Sequence, residues 1–433
     1  MRTTGLFLLH DNGAWGRKLP ASVTDMATAR RESGAVVWTD RFLDYSWTPE
    51  HPMKPVRLKF TMALAKSLGL LDGVELLTPA AAGTADLLRV HTSEYIEAVG
   101  RVRPPEGAPG YGIVAPDNPP FPHMHEAASV LVGGTLAAAR EIAEGRARRA
   151  VSIAGGMHHA MAGHAAGFCV YNDAAVAISW LLDHGFDRIA YVDVDVHHGD
   201  GVQRAFYADP RVLTVSLHQH PATLWPNTGW PEEIGCDAAE GTSINLPLPP
   251  GTGDAQWLRA FHAVAPGALA AFRPQLVVSQ CGVDSHREDP LADFELTVDG
   301  QRAAFLAMRE LADTYADGRW LAVGGGGYGL LRVVPRAWTH LLAIALDRPI
   351  PTETVIPQDW LDQVAAVAPA LTPPRTMGDG GDIAYRRWDG PGGTGETGDV
   401  RLDRAQRAID TAILATRRAT FGLLGLDPED PRD

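Results

Sequence analysis

The chain has 433 residues, of which 45% are hydrophobic and 21% charged, so it can form one large domain or two ordinary ones. Its formal net charge of −14 argues against a nucleic-acid-binding protein, which usually has a basic surface, and favours cationic partners. The three cysteines, Cys169, Cys236 and Cys281, show no metal-finger spacing and indicate reduced thiols. The apolar segment Leu6–Leu9 is too short for a signal peptide, and no apolar run is long enough to span a membrane, so the cytoplasm is the expected location.

Apolar strands alternate with helices through the middle of the chain. The predicted strands cover residues 35–38, 150–153, 189–196, 212–215, 276–279 and 321–323, and the predicted helices cover 56–68, 85–99, 126–144 and 401–423. This rhythm ends near Pro351, so we expect a catalytic domain over residues 1–350. Residues 351–433 then form an extension that packs on the same domain, with a mobile Gly- and Asp-rich loop at 377–399 and a final helix.

The order of these elements predicts an α/β fold with one mostly parallel sheet covered by helices on both faces. Most of the predicted strands run into polar residues and a glycine-rich turn before the next helix begins. In such sheets, ligands bind beyond the carboxyl ends of the strands. We therefore expect the polar groups that follow the strands to converge in one crevice.

The stretch from Ile189 to Gly201 carries the strongest chemical signal. A strand running to residue 196 places Asp193, Asp195 and His197 on one face, because strand side chains alternate with a period of two. Unpartnered carboxylates are costly to bury, so a bound cation explains them best. Asp195 and His197 can both be ligands, and Asp284, at the end of another apolar strand, is the best candidate for the third. Three protein ligands with an open position are typical of catalytic zinc, and a buried ion-pair network is the alternative.

Two further strand ends carry groups suited to hydrolysis. His158 and His159 follow a Gly-Gly turn, and Asp193 and Asp200 can each orient one of the two imidazoles. Tyr328 follows four glycines, and its phenol is a neutral donor suited to a developing oxyanion. Structural roles are the alternatives for the histidine pair and for Tyr328.

Five motifs in register resemble the zinc-dependent histone deacetylase family, in particular its bacterial acetoin-utilisation deacetylase branch, which is related to class I. The similarity covers roughly residues 35–345. Its motifs are residues 155–160 (GGMHHA), 167–169 (GFC), 193–201 (DVDVHHGDG), 281–285 (CGVDS) and 324–328 (GGGGY).

The resemblance implies the arginase/deacetylase-like fold and hydrolysis of acetyl-lysine to lysine and acetate. It assigns zinc to Asp195, His197 and Asp284, with ferrous iron as an alternative metal. It also implies the following roles: His159 backed by Asp200 as general base and then acid, His158 backed by Asp193 as its electrostatic partner, and Tyr328 as oxyanion donor.

The same resemblance implies a substrate tunnel and two potassium sites. For the substrate it assigns Gly167 and Phe168 to the tunnel wall, Leu291 to the mouth, Asp117 to the rim and Arg57 to an internal acetate channel. The family's second tunnel phenylalanine is Trp225 here, which leaves the tunnel width and the acyl preference open. The first potassium site falls on Asp193, Asp195, His197, Ser216 and Leu217, and the second on Phe206, Asp209, Val212 and Thr242.

The sequence therefore predicts a zinc-dependent protein lysine deacetylase with one zinc ion per chain. The expected partner is an acetylated protein or peptide, and the nearest branch implies an acetyl-CoA synthetase. We expect no nucleic-acid or membrane partner, and the sequence does not give the oligomeric state. The alternatives are a polyamine or other small-amide deacetylase, a binuclear manganese ureohydrolase and a non-catalytic binder of acylated lysine.

Overall fold

Eight parallel strands form one sheet in the part of the chain that the computed structural model describes, residues 34–392 and 400–433. The order across the sheet is β2-β1-β3-β8-β7-β4-β5-β6. The strands are Ala35–Val37 (β1), Leu76–Leu77 (β2), Arg149–Ser152 (β3), Ile189–Asp193 (β4), Val212–Gln219 (β5), Ser243–Leu248 (β6), Leu276–Gln280 (β7) and Trp320–Val323 (β8). This is the α/β architecture that the sequence predicts.

Helices separate most of the strands along the chain. They span Val56–Ser67, Thr84–Leu87, Ser93–Arg101, Met124–Ala143, Asp173–Leu182, Asp200–Phe206, Asp254–Phe272, Val298–Tyr315, Val334–Ala345, Gln358–Val367 and Val400–Thr420. The central strands are buried along their whole length, as expected for a parallel sheet with helices on both faces. Among the described residues, no helix is both long and apolar enough to cross a membrane.

The four central strands are in register at their carboxyl ends. Ser152 in β3 and Gln280 in β7 both pair with Val323 in β8, and Gln280 also pairs with Asp193 in β4. One row across the sheet therefore holds the last residue of all four strands. The turns that follow them carry the two histidines, Tyr328, Asp284 and the Asp195–His197 pair, so strand pairing brings these distant segments to one edge.

The predicted strand over residues 189–196 is too long, because β4 ends at Asp193. Beyond that point, carboxylates accept the backbone N–H groups that a strand would use. Asp193 accepts from the N–H of Asp195, Asp195 accepts from that of His197, and Asp284 accepts from that of Val196, at distances of 3.0–3.1 Å. Such side-chain bonds compete with secondary structure. Asp195 and His197 therefore belong to a loop, not to the face of a strand.

The predicted helix over residues 85–99 is interrupted. It is two helices, Thr84–Leu87 and Ser93–Arg101, because the Thr92 side chain accepts the N–H of Tyr95 and starts a new helix there.

The edge strands β2 and β6 are absent from the sequence prediction. Pro247 lies in β6, which is tolerated because β6 is at the edge of the sheet. The final helix covers this edge, and the Thr416 hydroxyl donates to the carbonyl of Asn245 at 2.7 Å. Asp410, on the same helix, accepts a hydrogen bond from Arg259 Nε at 2.8 Å. The apolar segment at residues 6–9 and residues 393–399 of the predicted mobile loop lie outside the described residues.

Candidate active site

Asp195, His197 and Asp284 form one cluster beyond the ends of β4 and β7. Each offers one ligand atom, and these atoms lie within 4.8 Å of one another. The Nδ1 atom of His197 is 3.2 Å from Asp195 Oδ1 and 3.1 Å from Asp284 Oδ2. The three predicted ligands are thus brought together by the fold.

The charges of this cluster fit a divalent cation. Burial raises the pKa of Asp284 to about 6, and the neighbouring charge of Asp195 raises it too. Two buried carboxylates that repel each other are stabilised when a cation neutralises both. Two carboxylates and one imidazole are a ligand set that suits zinc in a catalytic site, where a fourth position stays open.

His158 and His159 lie beside this cluster, each with its own acid. His158 Nδ1 is 2.8 Å from Asp193 Oδ2, and His159 Nδ1 is 2.8 Å from Asp200 Oδ1. Both histidine side chains are buried, with their ring centroids 3.9 Å apart. The pairing of histidines with acids is the one that the resemblance implies.

The surroundings shift the pKa values of the two imidazoles in opposite directions. Burial opposes the charge of His158, but Asp193 and Asp195 outweigh it and raise the pKa of His158 to about 9. Burial and the charges of His158 and His197 lower the pKa of His159 well below its ordinary value. The protonated form is therefore favoured at His158 and the neutral form at His159, whose Nδ1 atom lies 2.8 Å from Asp200 Oδ1.

Tyr328 reaches the site through a turn that only glycine can form. A Cβ atom on Gly326 would lie 1.9 Å from Asp284 Oδ2 and 2.9 Å from Asp195 Oδ2. The N–H of Gly326 instead donates to Asp195 Oδ2 at 2.8 Å. Burial and the charge of Asp284 raise the pKa of Tyr328 well above its ordinary value, so it remains a phenol that can donate a hydrogen bond.

Aromatic rings surround the approach to the site. The ring of Phe168 packs edge-on against Tyr328 at 5.8 Å, and Trp225 packs edge-on against His159 at 4.6 Å. A Cβ atom on Gly167 would lie 2.5 Å from His159 Cδ2 and 2.6 Å from Trp225 Cη2. The Trp225 side chain therefore closes against the Gly167 backbone, and 42% of its surface remains exposed.

Leu291 and Asp117 both lie in turns outside the helices and strands. Leu291 is half-buried, and its N–H donates to Asp289 at 3.1 Å. Asp117 is exposed, and its carbonyl lies 3.1 Å from Nε2 of His51, the ring that packs on Phe168.

Arg57 contacts the turn that carries Tyr328. Its guanidinium donates to the carbonyl of Gly327 at 2.9 Å and is 5.9 Å from the centroid of the Tyr328 ring. It is fully buried, and burial lowers its pKa.

The residues of the two implied potassium sites lie in two places. Asp193 pairs with Ser216 in the register of β4 and β5, and Leu217 follows in the same strand. Phe206 ends the helix before β5, Asp209 lies in the turn that follows, and Val212 is the first residue of β5. Thr242 precedes β6, and its carbonyl accepts from the N–H of Thr214.

Two adjacent residues that the sequence analysis did not single out hold the histidine turn. Asp173 is fully buried and accepts the N–H of Gly156 at 3.0 Å and that of Met157 at 2.7 Å. Asn172 donates to the carbonyls of His158 and Ala160. Neither residue follows a predicted strand, so the sequence pattern gave no signal for them.

A third such residue is Gln280, the last residue of β7. Its side chain donates to Asp195 Oδ2 at 2.7 Å and accepts the N–H of Gly282 at 2.7 Å. The signal that could have found it is its polar character at the end of an apolar strand.

These groups enclose a small cavity with about 20 Å³ open to water. Its walls are formed by Met53, Gly156, Met157, His158, His159, Gly167, Cys169, Asp195, His197, Asp284, Gly325, Gly326 and Tyr328. The arrangement joins a cation site, a neutral base and a phenol donor in one space, which suits the hydrolysis of an amide.

Comparison with known proteins agrees with this geometry. Residues 51–345 match the histone deacetylase domain family. The chain is 39% identical over 342 residues to the acetoin utilization protein AcuC of Bacillus subtilis strain 168, covering 78% of this chain and 88% of that protein. It is 35% identical to AcuC of Staphylococcus aureus strain MRSA252 over 345 residues, 79% and 88% of the two chains.

Solved structures show the same likeness. The crystal structure of a histone deacetylase homologue from Aquifex aeolicus superposes with a TM-score of 0.73 at 28% identity, over 88% of this chain and 100% of the other. A histone deacetylase homologue complexed with SAHA gives a TM-score of 0.74 at the same identity and coverage.

Proposed function

The chain belongs to the histone deacetylase family of hydrolases, and from this premise we propose that it removes acetyl groups from lysine side chains of proteins, with one zinc ion per chain. The observation that carries the proposal is the placement of two histidines with separate acids next to a three-ligand cation site. Metal-assisted hydrolysis of an amide needs a cation site, a base and an oxyanion donor.

Asp195, His197 and Asp284 would hold the metal. A bound zinc or ferrous ion supplies a Lewis acid that polarises the amide carbonyl and lowers the pKa of a water molecule. The backbone N–H of Gly326 and the side chain of Gln280 both donate to Asp195, which fixes the orientation of that carboxylate.

His159 moves the proton. Because its Nδ1 atom is held by Asp200, the lone pair of Nε2 accepts a proton from the attacking water. The same atom then returns that proton to the lysine amine as the C–N bond breaks. The low pKa of His159 keeps the imidazole neutral and ready to act as a base.

His158 and Tyr328 stabilise the charge that develops. The imidazolium of His158, kept charged by Asp193, lies next to the reacting groups and favours negative charge in the transition state. The Tyr328 hydroxyl donates a hydrogen bond to the oxygen of the tetrahedral intermediate. Arg57 holds the carbonyl of the residue before Tyr328 and so supports this donor.

The substrate enters along the aromatic residues. We propose that the aliphatic part of acetyl-lysine passes between Phe168 and Trp225 alongside Gly167, with Leu291 at the mouth and Asp117 at the rim. The expected partner is an acetylated cytoplasmic protein, with an acetyl-CoA synthetase as the candidate that the relatives' branch suggests. Potassium at the two implied sites belongs to the same proposal, and replacing potassium by sodium in the assay tests it.

A turnover panel tests the function. The purified chain, loaded with zinc, is assayed on an acetyl-lysine peptide, on peptides with longer acyl groups and on acetylated polyamines, with metal content measured in parallel. We expect about one zinc ion per chain and fastest hydrolysis of the acetyl-lysine peptide. Faster turnover of acetylated polyamines, or two manganese ions per chain, would contradict the proposal.

A further inference from the structure

The peptide unit that joins Gly327 to Tyr328 is held from both sides by buried polar side chains. Arg57 donates to its carbonyl at 2.9 Å, and its N–H donates to Asp289 Oδ2 at 2.7 Å. Asp289 is only 8% exposed. Because its carbonyl and its N–H are both bonded to buried side chains, this peptide plane has a defined orientation.

The glycine-rich turn makes such an anchor necessary. Gly325 and Gly327 have φ angles of 154° and 137°, in the region that glycine alone adopts readily. A run of four glycines restricts its own backbone little, so the position of Tyr328 depends on contacts from outside the turn. Asp289 supplies one of these contacts directly at the backbone nitrogen of Tyr328.

The carboxylate of Asp289 is itself fixed in place. Its Oδ1 atom accepts the N–H of Leu291 at 3.1 Å, and its own N–H donates to the carbonyl of His286 at 2.8 Å. His286 in turn lies 2.9 Å from Asp379, which also pairs with the buried Arg336. The loop from Asp284 onward is therefore anchored at several points.

We propose that Asp289 is the positioning residue of Tyr328, setting the place from which the hydroxyl meets the oxyanion. The inference rests on the proposed role of Tyr328 as the oxyanion donor. In this role Asp289 contacts neither substrate nor metal. Its effect passes through one hydrogen bond to the tyrosine backbone.

A double-mutant cycle tests this role. Asp289→Asn keeps the shape of the side chain but cannot accept from two backbone N–H groups at once. We expect kcat to fall 10- to 100-fold with KM and zinc content unchanged. In a Tyr328→Phe background, the same substitution should change kcat less than 2-fold, because the donor that Asp289 positions is already absent.

Asp254→Asn is the matched control. Asp254 is a buried carboxylate, 7% exposed, that accepts the N–H and the hydroxyl of Thr297 and does not line the cavity. Its substitution should leave kcat unchanged. Asp289→Glu is a second variant that retains the carboxylate and should lose less activity than Asp289→Asn.

The outcomes separate the two proposals. If Tyr328→Phe retains full turnover, the assigned role of Tyr328 fails. If Tyr328→Phe is impaired, two results would contradict only the inference about Asp289. Either Asp289→Asn leaves kcat unchanged, or it lowers kcat by the same factor in the Tyr328→Phe background as in the unaltered chain. Failure of both Asp289 variants to fold would assign the residue a structural role and overturn the inference.

Discussion

The rings of His158 and His159 stand 3.9 Å apart, yet their surroundings shift their pKa values in opposite directions. Asp193 and Asp195 keep His158 charged against the effect of burial, whereas burial and that same charge keep His159 neutral. Two chemically identical side chains thereby acquire two roles, because a protonated neighbour makes a second proton unfavourable.

This separation predicts a window of activity in pH. Burial raises the pKa of Asp200 to about 7, and below that value the protonated carboxyl no longer orients His159 as an acceptor. The pKa of His158 is about 9, so its positive charge is present below that pH and lost as the pH rises through it. We expect kcat to be highest at pH values between about 7 and about 9.

Asp193→Asn checks the alkaline side of this window. It removes the largest contribution that raises the pKa of His158, so the alkaline limb of the pH–rate profile should move to lower pH. The acid limb should move to higher pH, because the charge of His158 lowers the pKa of Asp200 and this charge is weakened in the variant. An unchanged alkaline limb would mean that His158 does not act as the cation.

Tyr328→Phe should retain zinc and lose most turnover. Removing one oxyanion donor costs about 10²–10³ in kcat at comparable acyl-transfer sites. Steady-state kinetics together with metal analysis check this. Tyr95→Phe is the control, since its buried hydroxyl donates to the carbonyl of Val170, outside the cavity, and its loss should leave turnover intact.

Asp284→Ala should lose both metal and activity. Asp284 lies 3.1 Å from His197 and also accepts the N–H of Val196, so its removal leaves a two-residue site on a loosened loop. Metal analysis after dialysis measures the effect, and Asp254→Asn should keep its zinc. If Asp284→Ala retained full metal content, the third ligand would have to be a different residue.

Asp379→Ala should destabilise the fold strongly. It leaves Arg336, which is fully buried, without its carboxylate partner at 2.8 Å. Breaking a buried ion pair on one side costs about 3–5 kcal/mol of unfolding free energy. Urea denaturation measures this cost. Glu97→Ala is the control, because the exposed pair of Glu97 with Arg101 should contribute at most about 0.5 kcal/mol.

Much of this site is readable from the sequence. The parallel sheet follows from the alternation of apolar strands and helices, and the convergence of Asp195, His197, Asp284, His158 and Tyr328 follows from the rule that strand ends share one edge. These residues are chemically unusual after apolar strands, so local pattern alone marks them. The resemblance to a family adds the pairing of each histidine with its acid.

Other features depend on contacts between segments far apart in the chain. Asp289 touches Tyr328 across 39 positions and Asp173 holds a turn 16 positions before it, and neither stands out by periodicity. One of the carboxylates that take backbone N–H groups beyond the end of β4 is Asp284, 88 positions away from Val196, which no local propensity can indicate. Likewise, the opposite protonation of His158 and His159 exists only once burial and neighbouring charges act on both rings. Residue type and spacing thus selected the chemistry, while long-range packing set the geometry and the charge state in which it can operate.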